Sequence, residues 1–249
     1  MIPAPRTHPS GSYRYLPAIA AYSAGIAAEP GFAIHAVRFN ELLALRDSFE
    51  RIDQMLNSRN LPAHSLAALE LRSPEIVGLS DFHRFNYEYL EHLRDRKLIT
   101  GVDNPIARTN VVPLYDGPAE PAVLTAFLVV PSNDHTAGTD FVVAGAGEMS
   151  GDLQAETIVA AGDVTDAGLA RKVEAVAREM GSRITALGVG EPTTVNVYTA
   201  HQPTVLHDSL RTHLPSVERF GYERWLTRPP VTDIEFEMDC RRVSHWQFA

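Results

Sequence analysis

A few side chains in this sequence are of the types that bind carboxylates and move protons. Arg108 lies in the run Asn104-Pro105-Ile106-Ala107-Arg108-Thr109-Asn110-Val111. A guanidinium is a rigid planar donor fork that grips a carboxylate through two parallel hydrogen bonds. Asn110 follows two residues later, and Asn86 sits in Phe85-Asn86-Tyr87-Glu88-Tyr89-Leu90. Each amide offers a donor and an acceptor to a bound polar group. Glu235 is a candidate acid/base, because a carboxyl facing a low-dielectric cleft holds its proton to higher pH. Glu148 and His201 fall at strand ends where clefts form. The imidazole, with an ordinary pKa of about 6.5, is the natural alternative to Glu235. Gly25 and Gly145 lack a Cβ and let a ligand approach backbone N–H groups. Arg72 and Arg228 could supply a second cation for a dicarboxylate. Each has a structural alternative: Arg108 paired with Glu70, Glu235 in a solvated acidic run with Glu237 and Asp239, the glycines as bulges.

Other chemistries are absent from the sequence. The Gly145-Ala146-Gly147 and Gly188-Val189-Gly190 clusters lack the strand–loop–helix spacing of nucleotide-binding motifs, and there is no Gly-x-Ser-x-Gly elbow. The single cysteine, Cys240, cannot form an internal disulfide, and no Cys/His set has zinc-site spacing. The expected cofactor complement, metal included, is none. A formal net charge of -9 argues against a general nucleic-acid surface. No apolar run approaches the roughly 18 residues needed to span a bilayer, and the Pro-rich start has no apolar leader. The expectation is a cytoplasmic protein with a small-molecule partner and no nucleic-acid or membrane partner.

Apolar spacing then gives the elements that must position these residues. Strand-like stretches at 22–28 and 34–39 precede a helical pattern through Leu45, Phe49, Ile52 and Leu56. A strand at 65–71, a helix through Phe82, Phe85, Tyr89 and Leu93, and strands at 107–114 and 122–130 follow. The second half repeats the order. Strands at 141–146 and 157–161 lead to a helix capped by Thr165 and striped by Leu169, Val173, Val176 and Met180. A strand at 193–199, a short helix through Val205 and Leu210, and strands at 222–226 and 234–243 close the chain. The predicted order is β-β-α-β-α-β-β, twice, with domains at 1–134 and 135–249. Each copy would leave one sheet face bare, so the sheets must meet. In the last strand Glu235, Glu237 and Asp239 share a face opposite Ile234, Phe236 and Met238.

The Asn86-x-x-Tyr89 helix followed by the Pro105…Ala107-Arg108 strand resembles the RidA (YjgF/YER/UK) superfamily. The stretches Tyr22-Ser23-Ala24-Gly25 and Ala144-Gly145-Ala146-Gly147 resemble its opening strand, and Ile234-Glu235-Phe236-Glu237 its closing one. The resemblance implies an α+β fold of two tandem chorismate-mutase-like domains, each a mixed sheet with two helices on one face. In the family three such domains surround a barrel, with sites between neighbours. RidA-type members hydrolyse enamines or imines to a ketone and ammonia; relatives act on aminomuconate-type ring-cleavage products, and the chorismatases are a divergent branch. The sequence departs from the family in dividing the site. Arg108 is in the first copy and Glu235 in the second, and Asn110 stands where family members often carry cysteine.

The expected activity is cofactor-free hydrolytic deamination of a small carboxylated enamine or imine, 2-aminoacrylate-like or 2-aminomuconate-like. Arg108 would anchor the carboxylate, helped by Asn86 and Arg72. N–H groups near Gly145 or Gly25 and the Asn110 amide would orient the C=N group. Glu235, His201 or Glu148 would guide water and proton. The alternatives are a chorismatase-like or ring-cleavage hydrolase and a non-catalytic metabolite-binding protein. Duplication favours a homo-oligomer, with a trimer of chains the favoured assembly.

Overall fold

In the computed structural model, residues 2–99, 101–134, 138–150 and 154–249 are described. The chain runs β1 (Arg6–Thr7), β2 (Tyr13–Leu16), β3 (Gly25–Ala28), β4 (Phe32–Arg38), α1 (Leu45–Ser58), β5 (Leu66–Arg72), α2 (Leu79–Asp95), β6 (Ala107–Pro113) and β7 (Ala122–Pro131). It continues with β8 (Phe141–Gly147), α3 (Asp166–Leu187), β9 (Thr194–Tyr198), α4 (Leu206–His213), α5 (Val217–Phe220), β10 (Glu223–Trp225), β11 (Thr227–Arg228), β12 (Glu237–Arg242) and β13 (His245–Phe248). It is an α+β protein with two mixed sheets. One sheet has the order β1-β2-β3-β8-β12-β9-β10, the other β11-β6-β5-β7-β4-β13.

The two halves share one pairing scheme. In the first, β5 is parallel to β6 and antiparallel to β7, which is antiparallel to β4. In the second, β9 is parallel to β10 and antiparallel to β12, which is antiparallel to β8. The structural counterpart of β8 is therefore β4, and the repeating order is β-α-β-α-β-β. This corrects the sequence reading at two places. The 22–28 stretch supplies β3, which pairs with β8 and so belongs to the second half's sheet. The apolar Ile158 and Val159 do not build a strand. A 3-10 turn at Ala155–Thr157, a positive φ at Ala160 and Gly162, and a lone bridge from Met149 to Ile158 take up that stretch. The exchange is mutual, because β13 pairs in parallel with β4 of the first half. The domain junction expected at residue 135 lies outside the described residues.

Three apolar layers hold these elements together. Phe49, Ile52 and Leu56 of α1 and Tyr89, Leu90 and Leu93 of α2 pack on Leu66, Leu69, Val123 and Leu128. Val173, Val176, Ala177 and Met180 of α3, with Leu206 and Leu210 of α4, pack on Val143, Val195, Val197, Phe236 and Met238. Between the sheets lie Ile26, Ile34, Ala36, Ala67, Ala68, Ala107, Phe127, Val142 and Ala144. The order of layers is helix, sheet, sheet, helix, and the small inner side chains let the sheets close on each other. Each fully buried Phe, Leu or Ile contributes roughly 1.5–3 kcal/mol. The cap at Thr165 forms as its sequence predicts: its hydroxyl accepts from the Gly168 N–H at 3.2 Å, and α3 ends on Gly188 at φ 65. Among the described residues no helix is long and apolar enough to cross a membrane.

Candidate active site

Because β11 pairs only with Val112 and Pro113, β6 is an edge strand around Arg108, tied across the seam by a single bridge from Ser23 to Ala107. The Arg108 side chain therefore leaves the sheet at its rim and enters a ring of aromatics. Tyr22 and Tyr89 lie 4.7 Å from its guanidinium carbon, Phe85 5.4 Å and Phe82 5.8 Å. Three of these rings come from α2, whose stripe serves both the core and this cage. The ring faces offset part of the cost of burying a cation, and burial still lowers the guanidinium's pKa from its ordinary value. Nη2 donates to Asn86 Oδ1 at 2.7 Å, whereas Nη1 is buried with no hydrogen-bond partner among the described residues.

Arg108 lines a cavity of about 50 Å³ together with Tyr22, Phe82, Asn110, Gly145, Gly147 and Glu237, closed by Met149, Pro229, Pro230, Val231 and Ile234. The Asn110 amide accepts from Ser73 Oγ at 3.0 Å, and its Nδ2 is likewise buried without a partner among the described residues. Two orphaned donors thus sit on one small hollow. An unsatisfied buried donor costs about 1–3 kcal/mol, more when charged, so this pair suits an acceptor that arrives from outside.

Glu237 is the carboxylic acid of this lining. Its carboxyl is pushed up to about 8, first by burial and then by the charge of Asp239, against the opposing pull of Arg108 and the Asn110 backbone N–H. It is therefore mostly protonated at neutral pH. Gly145 makes the room: a Cβ there would overlap Glu237 Oε1 and crowd Thr109 at 3.1 Å.

The structure brings together only part of the set expected from sequence. Arg108, Asn110 and Gly145 line the cavity, and Asn86 holds Arg108. The Gly145 N–H is not free for substrate, because it donates to Thr109 Oγ1 at 3.0 Å. Gly25 pairs with Leu16 and Val143 inside the sheet and lies outside the lining; a Cβ there would meet Val142 O at 2.9 Å and Leu187 Cδ1 at 3.0 Å, so its role is packing. Glu235 faces elsewhere, bonded to His201 Nε2 at 3.0 Å and to Arg228, so neither it nor His201 lines the hollow. Arg72 is buried between the sheets, 3.8 Å from Glu70 and over the Tyr198 ring. Glu70 is not the partner of Arg108; burial would raise its pKa, but Arg241, Arg72 and Arg38 draw it well below the carboxylate range.

Glu148 is a clamp. It is fully buried, paired with Lys172 at 3.0 Å, and accepts from the backbone N–H of Glu235 at 2.6 Å and of Phe236 at 2.9 Å. Those two N–H groups point at a carboxylate instead of a neighbouring strand, and Asp233 has φ 70. Hence β12 starts at Glu237 and not at Ile234, and the acid enters the cavity at its first strand residue. Lys172→Met should leave Glu148 buried and unpaired and cost about 3–5 kcal/mol in urea unfolding; an unchanged midpoint would remove the clamp role. Sequence reasoning missed Glu237 and Tyr22. The available signal was the glycine inside the apolar strand Phe141–Gly147, which marks a place where something approaches the backbone closely.

Two mixed sheets face to face with helices outside are an architecture found in a solved structure. The chain is similar to a crystal structure of a chorismatase, with a TM-score of 0.51 and 13% identity, covering 93% of this chain and 81% of that one. It is also 38% identical over 240 residues, 93% of each chain, to 2-amino-5-chloromuconate deaminase of Comamonas testosteroni. Residues 5–247 match the model of the family 2-aminomuconate deaminase CnbZ, and the chain belongs to that family. The expected likeness to enamine deaminases agrees with the family and relative matched, and the chorismatase match shows a shared fold.

Proposed function

We propose that the protein deaminates 2-aminomuconate, or a close dicarboxylic relative, by hydrolysis. The observation that carries this reading is the pair of orphaned donors, Arg108 Nη1 and Asn110 Nδ2, on one cavity with a carboxyl that keeps its proton at neutral pH. The donors take the carboxylate beside the amino-bearing carbon. Glu237 gives its proton to a carbon of the dienamine, forming a C–H bond and leaving an iminium. Water adds to the iminium carbon while the Glu237 carboxylate removes one of its protons, which gives a carbinolamine and restores the acid. Glu237 then protonates the amine, the C–N bond breaks, and the hydroxyl proton returns to Glu237. The sum is enamine plus water to 2-oxo acid plus ammonia, and each proton transfer is of the kind worth about 10²–10⁴-fold. The apolar wall of Met149, Val231 and Ile234 would shelter the diene.

The test is loss of dienamine absorbance measured with ammonia release, using 2-aminomuconate, a 2-iminobutyrate-type monoacid and chorismate in parallel. Turnover of the first with equimolar ammonia is expected; turnover of chorismate alone would overturn the reading. Gly145→Ala, by forcing the Glu237 carboxyl aside, should lower kcat/KM about 10²-fold with the fold intact by circular dichroism.

In the same reading residues 1–134 and 135–249 are two tandem RidA-like domains, each a mixed sheet with two main helices on its outer face; β1, β2 and β3 of the first extend the second's sheet, and β11 and β13 of the second extend the first's. The shared pairing scheme supports it. A homotrimer is the assembly we favour on that basis, and sedimentation equilibrium would test it.

A further inference from the structure

Behind the cavity, on the same face of β12 as Glu237, lies Asp239, 2% exposed and outside the lining. Four donors converge on its carboxylate. Thr109 Oγ1 and Tyr198 Oη donate to Oδ2 at 2.9 and 2.8 Å, and Asn196 Nδ2 donates to Oδ1 at 2.8 Å, with Arg241 3.4 Å away. So many fixed donors lock the position of the group. The Thr109 hydroxyl that donates to Asp239 also accepts from the Gly145 N–H, at 3.0 Å. Gly145 is in turn the residue whose missing Cβ makes room for Glu237 Oε1. One short chain of bonds therefore joins Asp239 to the floor on which the acid rests.

We propose that Asp239 is a positioning residue for Glu237, acting without touching substrate: it stands beside the acid on one face of β12, and Thr109 ties it to the Gly145 backbone on which the acid rests. This rests on Glu237 being the acid of the reaction proposed above. The ionisable groups facing Glu237 are Arg108 from β6, Tyr22 from the segment before β3, Glu148 from the end of β8 and Asp239 itself. Arg108 favours the ionised form. Glu148 and Asp239 oppose it, and Glu148 is itself paired with Lys172. Asp239 stands ahead of Glu148 among the causes that hold the proton.

The experiment compares Asp239→Asn, Thr109→Val, Thr109→Ser and Glu237→Gln in the full chain. Asparagine keeps the shape and loses the charge. The basic limb of the kcat/KM profile should then move down by about one pH unit, and the infrared band of the protonated Glu237 carboxyl should vanish at correspondingly lower pH. Thr109→Val keeps the charge and cuts the tie, so kcat should fall about tenfold with the limb in place, and Thr109→Ser should restore it. A folded Asp239→Asn enzyme whose limb and infrared titration match the wild type overturns the proposal, provided Glu237→Gln is inactive. Should Asp239→Asn not fold, Thr109→Val decides alone: wild-type kcat overturns the proposal, and a loss rescued by serine supports it. An active Glu237→Gln enzyme would sink the catalytic reading beneath it instead.

Discussion

Replacing Arg108 with alanine is expected to lower kcat/KM for 2-aminomuconate about 10³-fold. The guanidinium is 3% exposed and caged by four rings, so its hydrogen bonds to a bound carboxylate form away from competing water. Removing one member of such a pair strands the other, a loss of about 2–5 kcal/mol. The anchor acts on substrate and transition state alike, so most of the loss should appear in KM. Arg108→Lys should rescue little. One ammonium cannot hold Asn86 Oδ1 and a carboxylate with the geometry of a planar fork. Steady-state kinetics on variants with wild-type circular dichroism checks this, and unchanged kcat/KM in Arg108→Ala would remove the anchoring role.

Glu237→Gln carries the other large effect, with opposite signs on activity and stability. Activity should drop about 10³-fold, within the range of lost acid–base catalysis. Stability near neutral pH should rise. The folded carboxyl titrates at about 8 in place of its ordinary 4.5. Below 4.5 it is protonated in both the folded and unfolded states and contributes nothing. Between 4.5 and 8 the unfolded chain has released a proton that the fold retains, so wild-type stability declines as pH rises through this window and levels off above it. Glutamine has no such dependence. The gap between variant and wild type should therefore widen from about pH 5 to about pH 8, reaching the order of a few kcal/mol. Urea titrations at the two ends of the window check it; parallel curves for the two proteins would mean that Glu237 titrates normally.

Much of the scaffold could be read from residue order, because strand alternation and helical spacing are local signals. The α1, α2 and α3 stripes, the Thr165 cap and the separate strands β6 and β7 all follow from them. What failed was partnership. The 22–28 stretch reads correctly as a strand, but nothing in its residues says that it pairs with β8 across the molecule. By residue order the 22–28 strand aligns with 141–146 and the 34–39 strand with the weak 157–161 pattern, whereas the pairing makes β4 the counterpart of β8. The tail His245–Phe248 has every residue exposed and gives no burial pattern to detect, yet it pairs with β4. Within the site, Arg108 and Asn110 stood out because their types are unusual for a core strand. Glu237 did not, since three carboxyls alternate along one strand and only tertiary packing distinguishes them. Glu235 finds a histidine and an arginine, Asp239 finds four donors, and Glu237 meets the gap above Gly145.

The exchanged strands have a bearing on how the hollow keeps its width. Each half is stitched into its twin at both ends, by β3 on one side and β13 on the other, so neither can swing or slide away without tearing out a strand. Duplicated proteins often hinge at the join. Here the spacing between Arg108 on β6 and Glu237 on β12 is held by the strand ladders on either side of it, ready before any molecule enters.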